Sequence, residues 1–195
     1  MATTYNQPPP IAVGARLFSE KGYAATTTRQ LSSAMGITNG TFYHYYESKE
    51  DLLLRICEES LGRITAAAKK AIEESADGRE LESLIHAHIN TMLSDQHLHR
   101  TMLTELRSLS GTRLTKVIAL RDLYSSLVED VIRRAQAVSI IRSDISPHVL
   151  SLLLLNLLNW TIFWFDPAGK LSSKELADVT VDLFFDGASN QQIAE

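Results

Sequence analysis

Apolar residues return along this chain at intervals of three and four from residue 11 almost to its end, and no useful stretch alternates. That periodicity predicts helices and no sheet. Ile11, Ala15, Leu17 and Phe18 mark a first helix, closed by the basic Lys21 and by Gly22. Thr27, with Gln30 three residues on, has capping-box spacing and predicts a short helix from Thr28 to about Met35, stopped by Gly36. Asn39-Gly40 usually marks a hairpin turn, but no alternating strands flank it, so a further short helix is expected to about Tyr46. Ser48 then caps a long helix over 48–74, with Glu50 and Asp51 suited to its positive end.

Past the break at Ala76-Asp77-Gly78 the helical spacing continues. One stripe runs through Leu81, Leu84, Ile85, His88, Ile89 and Met92, and a second through Leu98, Met102, Leu103, Leu106 and Leu109 up to Gly111. A long helix follows on Val117, Tyr124, Val128, Val131 and Ala135. Pro147 opens the apolar run 149–165, and Ser172 and Ser173 open a last helix carrying Leu176, Val179, Leu183 and Phe184. The run 149–165 is shorter than the roughly 20 residues a bilayer needs and contains Asn156 and Asn159, so it reads as a buried or interface helix. The expected fold class is all-α, with an arm and helix-turn-helix domain over 1–47, a connecting helix over 48–74 and a second helical domain over 75–195.

Composition changes little in this picture. The 195 residues are 45% hydrophobic and 22% charged, ordinary globular proportions, long enough for a sizeable core. A single cysteine, Cys57, excludes an intramolecular disulfide framework and a multi-cysteine zinc site. Residues 1–10 hold no basic residue and no apolar run, so no signal peptide is read there. Pro8-Pro9-Pro10 suggests an extended arm, and an intracellular, cytoplasmic protein is expected. The net charge of −4 argues against a nucleic-acid partner until it is divided. Residues 1–56 carry five basic and four acidic side chains, net +1, so the acidity belongs to the remainder.

Two short helices joined through Gly36 have the layout of a helix-turn-helix. Leu31, Met35, Ile37 and Phe42 would pin the pair together, while Thr38, Asn39, Thr41, Tyr43, His44 and Tyr45 would project from the second helix. Hydroxyl and amide side chains suit phosphate and base-edge contacts. The competing explanation is a helical hairpin with an aromatic knot in the core, but four consecutive rings, Tyr43 to Tyr46, cannot all point inward from one helix.

Residues 16–55, from Arg-Leu-Phe-Ser-Glu-Lys-Gly-Tyr through Gly-Thr-Phe-Tyr-His-Tyr-Tyr-Glu-Ser-Lys-Glu-Asp-Leu-Leu, closely resemble the amino-terminal domain of the tetracycline-repressor (TetR) family. The resemblance implies a homodimeric transcription regulator, usually a repressor, with a DNA domain and a larger ligand-binding and dimerisation domain. Carried over by position, Thr27, Thr28 and Lys49 look like phosphate anchors. Arg29, Thr38, Asn39, Thr41, Tyr43 and His44 look like the groove-facing set, and Phe42 and Tyr46 match core positions. The family's basic arm is missing, since no basic residue precedes Arg16, and Ser32 stands where a compact alanine is usual. Contacts through hydroxyls, amides and helix ends, with a shallow salt dependence, are therefore expected.

A second, narrower resemblance lies in Asn159-Trp160-Thr161-Ile162-Phe163-Trp164-Phe165-Asp166-Pro167-Ala168-Gly169-Lys170-Leu171-Ser172. It looks like a segment of TetR-type regulators of fatty-acid and steroid catabolism, many of which respond to acyl-CoA thioesters. An apolar effector, an acyl-CoA or lipid-derived one among the options, is what this implies. Glu105, Arg107, Arg121, Tyr124, Asn156 and Trp160 are the candidate pocket residues; solvated helix faces explain such charges as well. Leu153, Leu157, Trp164, Leu176, Val179 and Leu183 are the candidate dimer seam, where Asn156 and Asn159 could fix register or face a ligand.

Catalytic residues are not expected: the chain has no Gly-x-Ser-x-Gly elbow, no phosphate-binding glycine loop and no His-Glu-x-x-His helix. Neither cofactor nor metal is expected, because His86 and His88 fall on different sides of one helix and His97-x-His99 has no further ligand by spacing. The expected partners are double-stranded DNA, a small apolar effector and a second copy of the chain, with no membrane. The competing class is an all-helical protein-interaction module without sequence-specific DNA binding.

Overall fold

The computed structural model describes residues 10–187. The arm expected over 1–10 lies outside the described residues, apart from Pro10. Nine α-helices occupy the described residues: α1 (Ile11–Lys21), α2 (Thr28–Ala34), α3 (Asn39–Tyr45), α4 (Lys49–Glu73), α5 (Glu80–Ser94), α6 (Gln96–Glu105), α7 (Gly111–Ala137), α8 (Pro147–Trp164) and α9 (Ser173–Gly187). A 3-10 turn, Leu106–Ser108, follows α6, and the described residues contain no strand.

The helices form two compact units, and neither is continuous in sequence. The first runs through Ser60 and takes in Gln96–Leu120; the second joins Leu61–Asp95 to the chain from Arg121 on. The expected boundaries keep residues 96–120 with the second domain, and the structure places them with the first for a physical reason. Thr101 is buried and donates its hydroxyl to the Ala15 carbonyl at 2.8 Å, tying α6 to α1. Ser60 and His99, both fully buried, share a hydrogen bond of 2.8 Å between α4 and α6. Buried polar groups need such partners, and here the partners lie across the sequence gap.

In the first unit the core gathers Ala15, Phe18, Leu31, Phe42, Tyr46, Leu52, Leu53 and Ile56. α1 and α4 approach so closely at Gly14 that an added Cβ would sit 2.8 Å from Leu52 Cδ2, which only glycine avoids. In the second unit α5 packs on α8 and α9. Its buried side is the predicted stripe Leu81, Leu84, Ile85, His88, Ile89 and Met92.

α8 is long and apolar enough to cross a membrane by length and composition alone. It is two-sided. Leu150, Leu154, Leu158 and Ile162 are buried, whereas Leu153, Leu157, Trp160 and Trp164 are 42–66% exposed. Trp160 and Trp164 therefore do not belong to this chain's own core.

Candidate nucleic-acid interface

The α2–α3 pair is assembled by local hydrogen bonds before any tertiary contact is counted. Thr27 Oγ1 accepts the Gln30 N–H at 3.2 Å, and Gln30 Oε1 accepts the Thr27 N–H at 2.8 Å, the reciprocal capping box. At the other end of α2, Gly36 takes φ +69°, and the Gly36 and Ile37 N–H groups donate to the Ser33 and Ser32 carbonyls at 3.1 and 2.9 Å. A residue with a side chain would be strained there. Thr38 caps α3 by accepting the Thr41 N–H at 3.1 Å. Helices of seven residues have little stability alone, so burial of Leu31, Met35 and Phe42 holds the pair.

α3 divides its side chains into a buried set and an exposed set. Phe42 and Tyr46 are buried with ring centroids 5.3 Å apart. Burial raises the Tyr46 phenol above its ordinary pKa, with Arg55 opposing the shift, so it stays neutral. Thr38, Asn39, Tyr43 and His44 are exposed, Thr41 is half-buried, and Tyr43 reaches back so that its hydroxyl lies 3.4 Å from Thr28 Oγ1. Ser32, on the buried side of α2, lies with its hydroxyl 2.8 Å from Asn39 Oδ1. These side chains together make one polar surface on α2 and α3.

Lys49 is employed differently from the phosphate anchor that the family resemblance implies. Its ammonium donates to the Tyr23 and Thr26 carbonyls, both at 2.8 Å, and lies 4.0 Å from the Tyr23 ring centroid. Burial lowers its pKa and the Glu105 carboxylate opposes the shift. It fastens the α1–α2 loop to the start of α4. Nearby, Glu50 accepts the Ser110 N–H and hydroxyl at 2.8 and 2.9 Å, and Arg113 pairs with Glu47 at 3.0 Å. Arg55 is held by Asp51 at 3.3 Å.

What remains uncompensated is small. Arg16, Lys21 and Arg29 are exposed and form no ion pair with any described residue. Lys21 and Arg29 flank a groove of about 450 Å³ that Thr27, Gln30 and Ser33 also line. Sequence reading left Lys21 out because helix-end charge already explained it, and only the fold sets it beside Arg29.

The six candidate pocket residues are not gathered. Glu105 and Arg107 belong to the first unit, Glu105 beside Gly22 and Lys49, and Arg107 exposed on the 3-10 turn. Arg121, Asn156 and Trp160 are exposed on the second unit. Tyr124 alone is buried; its hydroxyl lies 2.7 Å from His88 Nδ1, and burial raises its pKa. Charge on an apolar helix suggests a pocket but does not say which side of the helix it lies on. Here Asn156 and Trp160 share the exposed stripe of Leu153, Leu157 and Trp164, and on α9 Val179 and Leu183 are exposed too. Leu176, expected with them, is 5% exposed and belongs to the chain's own core.

Among the grooves on the second unit's described residues are two of about 510 and 540 Å³. Asn90, Leu93, Phe165, Lys170 and Leu171 line the larger, which therefore uses the segment after α8. The histidines are each taken up singly: His86 by Asp178 at 3.3 Å, His97 by Ser19 at 3.3 Å, and His88 and His99 as above. Among the described residues no group of three His, Cys, Asp or Glu could hold a metal.

Two family models match this chain. Residues 11–56 match "Bacterial regulatory proteins, tetR family", and residues 75–188 match "Tetracyclin repressor-like, C-terminal domain". The HTH-type regulator YerO of Bacillus subtilis is 35% identical over 96 residues, 49% of this chain and 33% of that protein. The repressor KstR2 of Rhodococcus jostii is 24% identical over 180 residues, 91% of this chain and 88% of its own length. Among solved structures, the TetR-family regulator PfmR of Thermus thermophilus superposes with TM-score 0.84 at 31% identity, covering 93% of this chain and 98% of PfmR. AibR in complex with isovaleryl coenzyme A and operator DNA superposes with TM-score 0.82 at 23% identity, covering 90% and 95%.

Proposed function

Because the chain belongs to the TetR family of bacterial regulatory proteins, we propose that it is a repressor that two copies place on a roughly palindromic operator and an apolar effector releases. The observation that carries this reading is the polar surface of α3, where Thr38, Asn39, Tyr43 and His44 stand exposed on a helix whose other side, Phe42 and Tyr46, is core. Two such helices one turn of DNA apart read successive major grooves.

The second copy covers the apolar stripe of α8 and α9. Leu153, Leu157, Trp160, Trp164, Val179 and Leu183 are 42–66% exposed, a density of large apolar side chains that solvent does not favour and a dimer seam does. The effector class is an acyl-CoA thioester. The motif spanning the end of α8 and the loop after it supports this choice, as does the likeness to AibR, whose structure holds isovaleryl coenzyme A. α4 and α7 each begin in the first unit and end in the second, so a ligand that shifts either one acts on the reading head. Tilting α4 would change the spacing of the two α3 helices, through a coupling of about 1–3 kcal/mol.

A gel shift on the protein's own upstream DNA, with Tyr43→Ala beside the parent, tests the first half of the reading. The parent binds and the variant loses affinity; equal binding by both would remove α3 as the reading head and favour a protein-interaction module. Adding isovaleryl-CoA or longer acyl-CoAs tests the second half. Operator affinity unchanged by every thioester that raises the melting temperature would end the switching account while leaving DNA binding intact.

A further inference from the structure

The groove of about 450 Å³ between α1 and α2 is lined by hydrogen-bond donors. Lys21 of α1 and Arg29 of α2 each bring a cation to it, both exposed and neither ion-paired with a described residue. Gln30 lines it too, and the capping box settles which way its amide is turned. Gln30 Oε1 accepts the Thr27 backbone N–H at 2.8 Å, and a backbone N–H can only donate, so the atom it meets is the amide oxygen. Gln30 Nε2 keeps two hydrogens and has no partner among the described residues. Ser33 adds an exposed hydroxyl that makes no side-chain hydrogen bond there either. Among the described residues no aspartate or glutamate lines the groove. Ammonium, guanidinium, amide N–H and hydroxyl without a carboxylate match an anion that offers several acceptor oxygens, as a phosphate does.

The neighbouring residues name the source of that phosphate. Thr28 adjoins the polar surface of α3, since the Tyr43 hydroxyl lies 3.4 Å from Thr28 Oγ1, and on either side of it in the chain Thr27 and Arg29 line the groove. α2 therefore borders both surfaces. We propose that this groove holds the sugar–phosphate backbone of the operator beside the base pairs that α3 reads, with Lys21 and Gln30 as phosphate contacts indifferent to sequence. The inference rests on the DNA-binding reading above and deepens it. Lys21 contributes charge, and so releases counterions when it meets the backbone. Gln30 contributes a neutral donor, held in one orientation by the cap that also starts α2.

The test compares the full-length parent with Lys21→Gln and Gln30→Glu. Glutamate keeps the oxygen that the capping box needs and replaces only the amino group. Each protein is titrated over a range of salt onto a site that the parent selects from randomised duplexes, and onto an unrelated duplex of equal length. The urea midpoint of each is measured without DNA. Lys21→Gln should weaken both duplexes by the same factor, about ten-fold or more at 0.1 M salt, and make the log–log salt slope shallower by about 0.9 per protomer. Gln30→Glu should also weaken both duplexes equally, with its urea midpoint unchanged. Ethylating single phosphates of the selected site should reveal at least one per half-site whose modification excludes the parent but makes no difference to Lys21→Gln. Four results overturn the proposal. An unaltered salt slope in Lys21→Gln means that its ammonium does not meet the backbone. A loss confined to the selected site makes these residues readers of bases. A fall in urea midpoint that accompanies the loss of affinity in both variants assigns them to packing. Identical ethylation patterns for the parent and Lys21→Gln leave the groove without a phosphate. A parent that selects no sequence at all overturns the DNA-binding reading itself, a result distinct from these four.

Discussion

Replacing Lys49 by methionine keeps an unbranched side chain of similar length and deletes the ammonium, which isolates what that charge does. In the structure it donates to two loop carbonyls at 2.8 Å and sits 4.0 Å from the Tyr23 ring centroid. A hydrogen bond from a charged donor contributes about 1.5–3 kcal/mol when buried. Here the group is half-buried and water can reach the carbonyls once it is gone, so about 1 kcal/mol each is the better figure. The ring contact adds about 0.5–1 kcal/mol. The loss should therefore be about 2–3 kcal/mol, read as a lower urea midpoint of the free, full-length protein followed by helical ellipticity. A phosphate anchor makes the opposite pair of predictions. Its removal would leave the free protein as stable as before and take about 0.9 per protomer from the slope of log affinity against log salt. Lys49→Arg sharpens the choice, because a phosphate accepts the larger cation and the two fixed carbonyls do not. Unaltered urea unfolding of Lys49→Met, with a salt slope shallower by nearly 2 for the dimer, would refute the loop-fastening role.

Three more outcomes follow from the same geometry. With Arg16, Lys21 and Arg29 the exposed, unpaired cations of α1 and α2, a dimer can neutralise about six phosphates through them, so the log–log salt slope should be near −5; one steeper than about −8 would mean that further cations reach the DNA. Cys57 is fully buried, and burial, with Glu58 adding to it, pushes its thiol pKa up to about 12 from 9.0. A raised folded-state pKa means the stabilisation is fully present below about pH 9 and is lost as pH climbs from 9 toward 12, so stability should fall over that window. At pH 8 the thiol should resist a disulfide reagent in the folded protein and react at once in urea; fast stoichiometric labelling of the folded chain would contradict it. Gly14→Ala should destabilise the first unit by about 1–3 kcal/mol, since its Cβ meets Leu52 at 2.8 Å, and combined with Leu52→Ala it should cost less than the sum of the two single changes.

The parts of this molecule that sequence reading reaches are those decided by neighbours in the chain. Thr27 with Gln30, Gly36, and Thr38 with Thr41 define α2, the turn and α3 through bonds spanning three to five residues, so the helix-turn-helix is visible in the letters. Whatever depends on a distant partner is not. Lys49 at the head of a helix looks the same whether it faces a phosphate or the Tyr23 and Thr26 carbonyls more than twenty residues back. Residues 96–120 have the helical period of the second domain, and long-range bonds such as Thr101 to Ala15, His99 to Ser60 and Ser110 to Glu50 tie them to the first unit. The pocket candidates failed to converge for a related reason. A charge or amide on an apolar helix reports that one side is not core, and α8 has such a side at Asn156 and Trp160. An apolar run with two polar breaks fits a pocket wall and a subunit seam equally well, since both are faces that the single chain leaves uncovered. The exposed Leu153, Leu157 and Trp164 on the same side of α8 are what favours the proposed seam: a pocket closes over its apolar residues within one chain, and these side chains are open on this one.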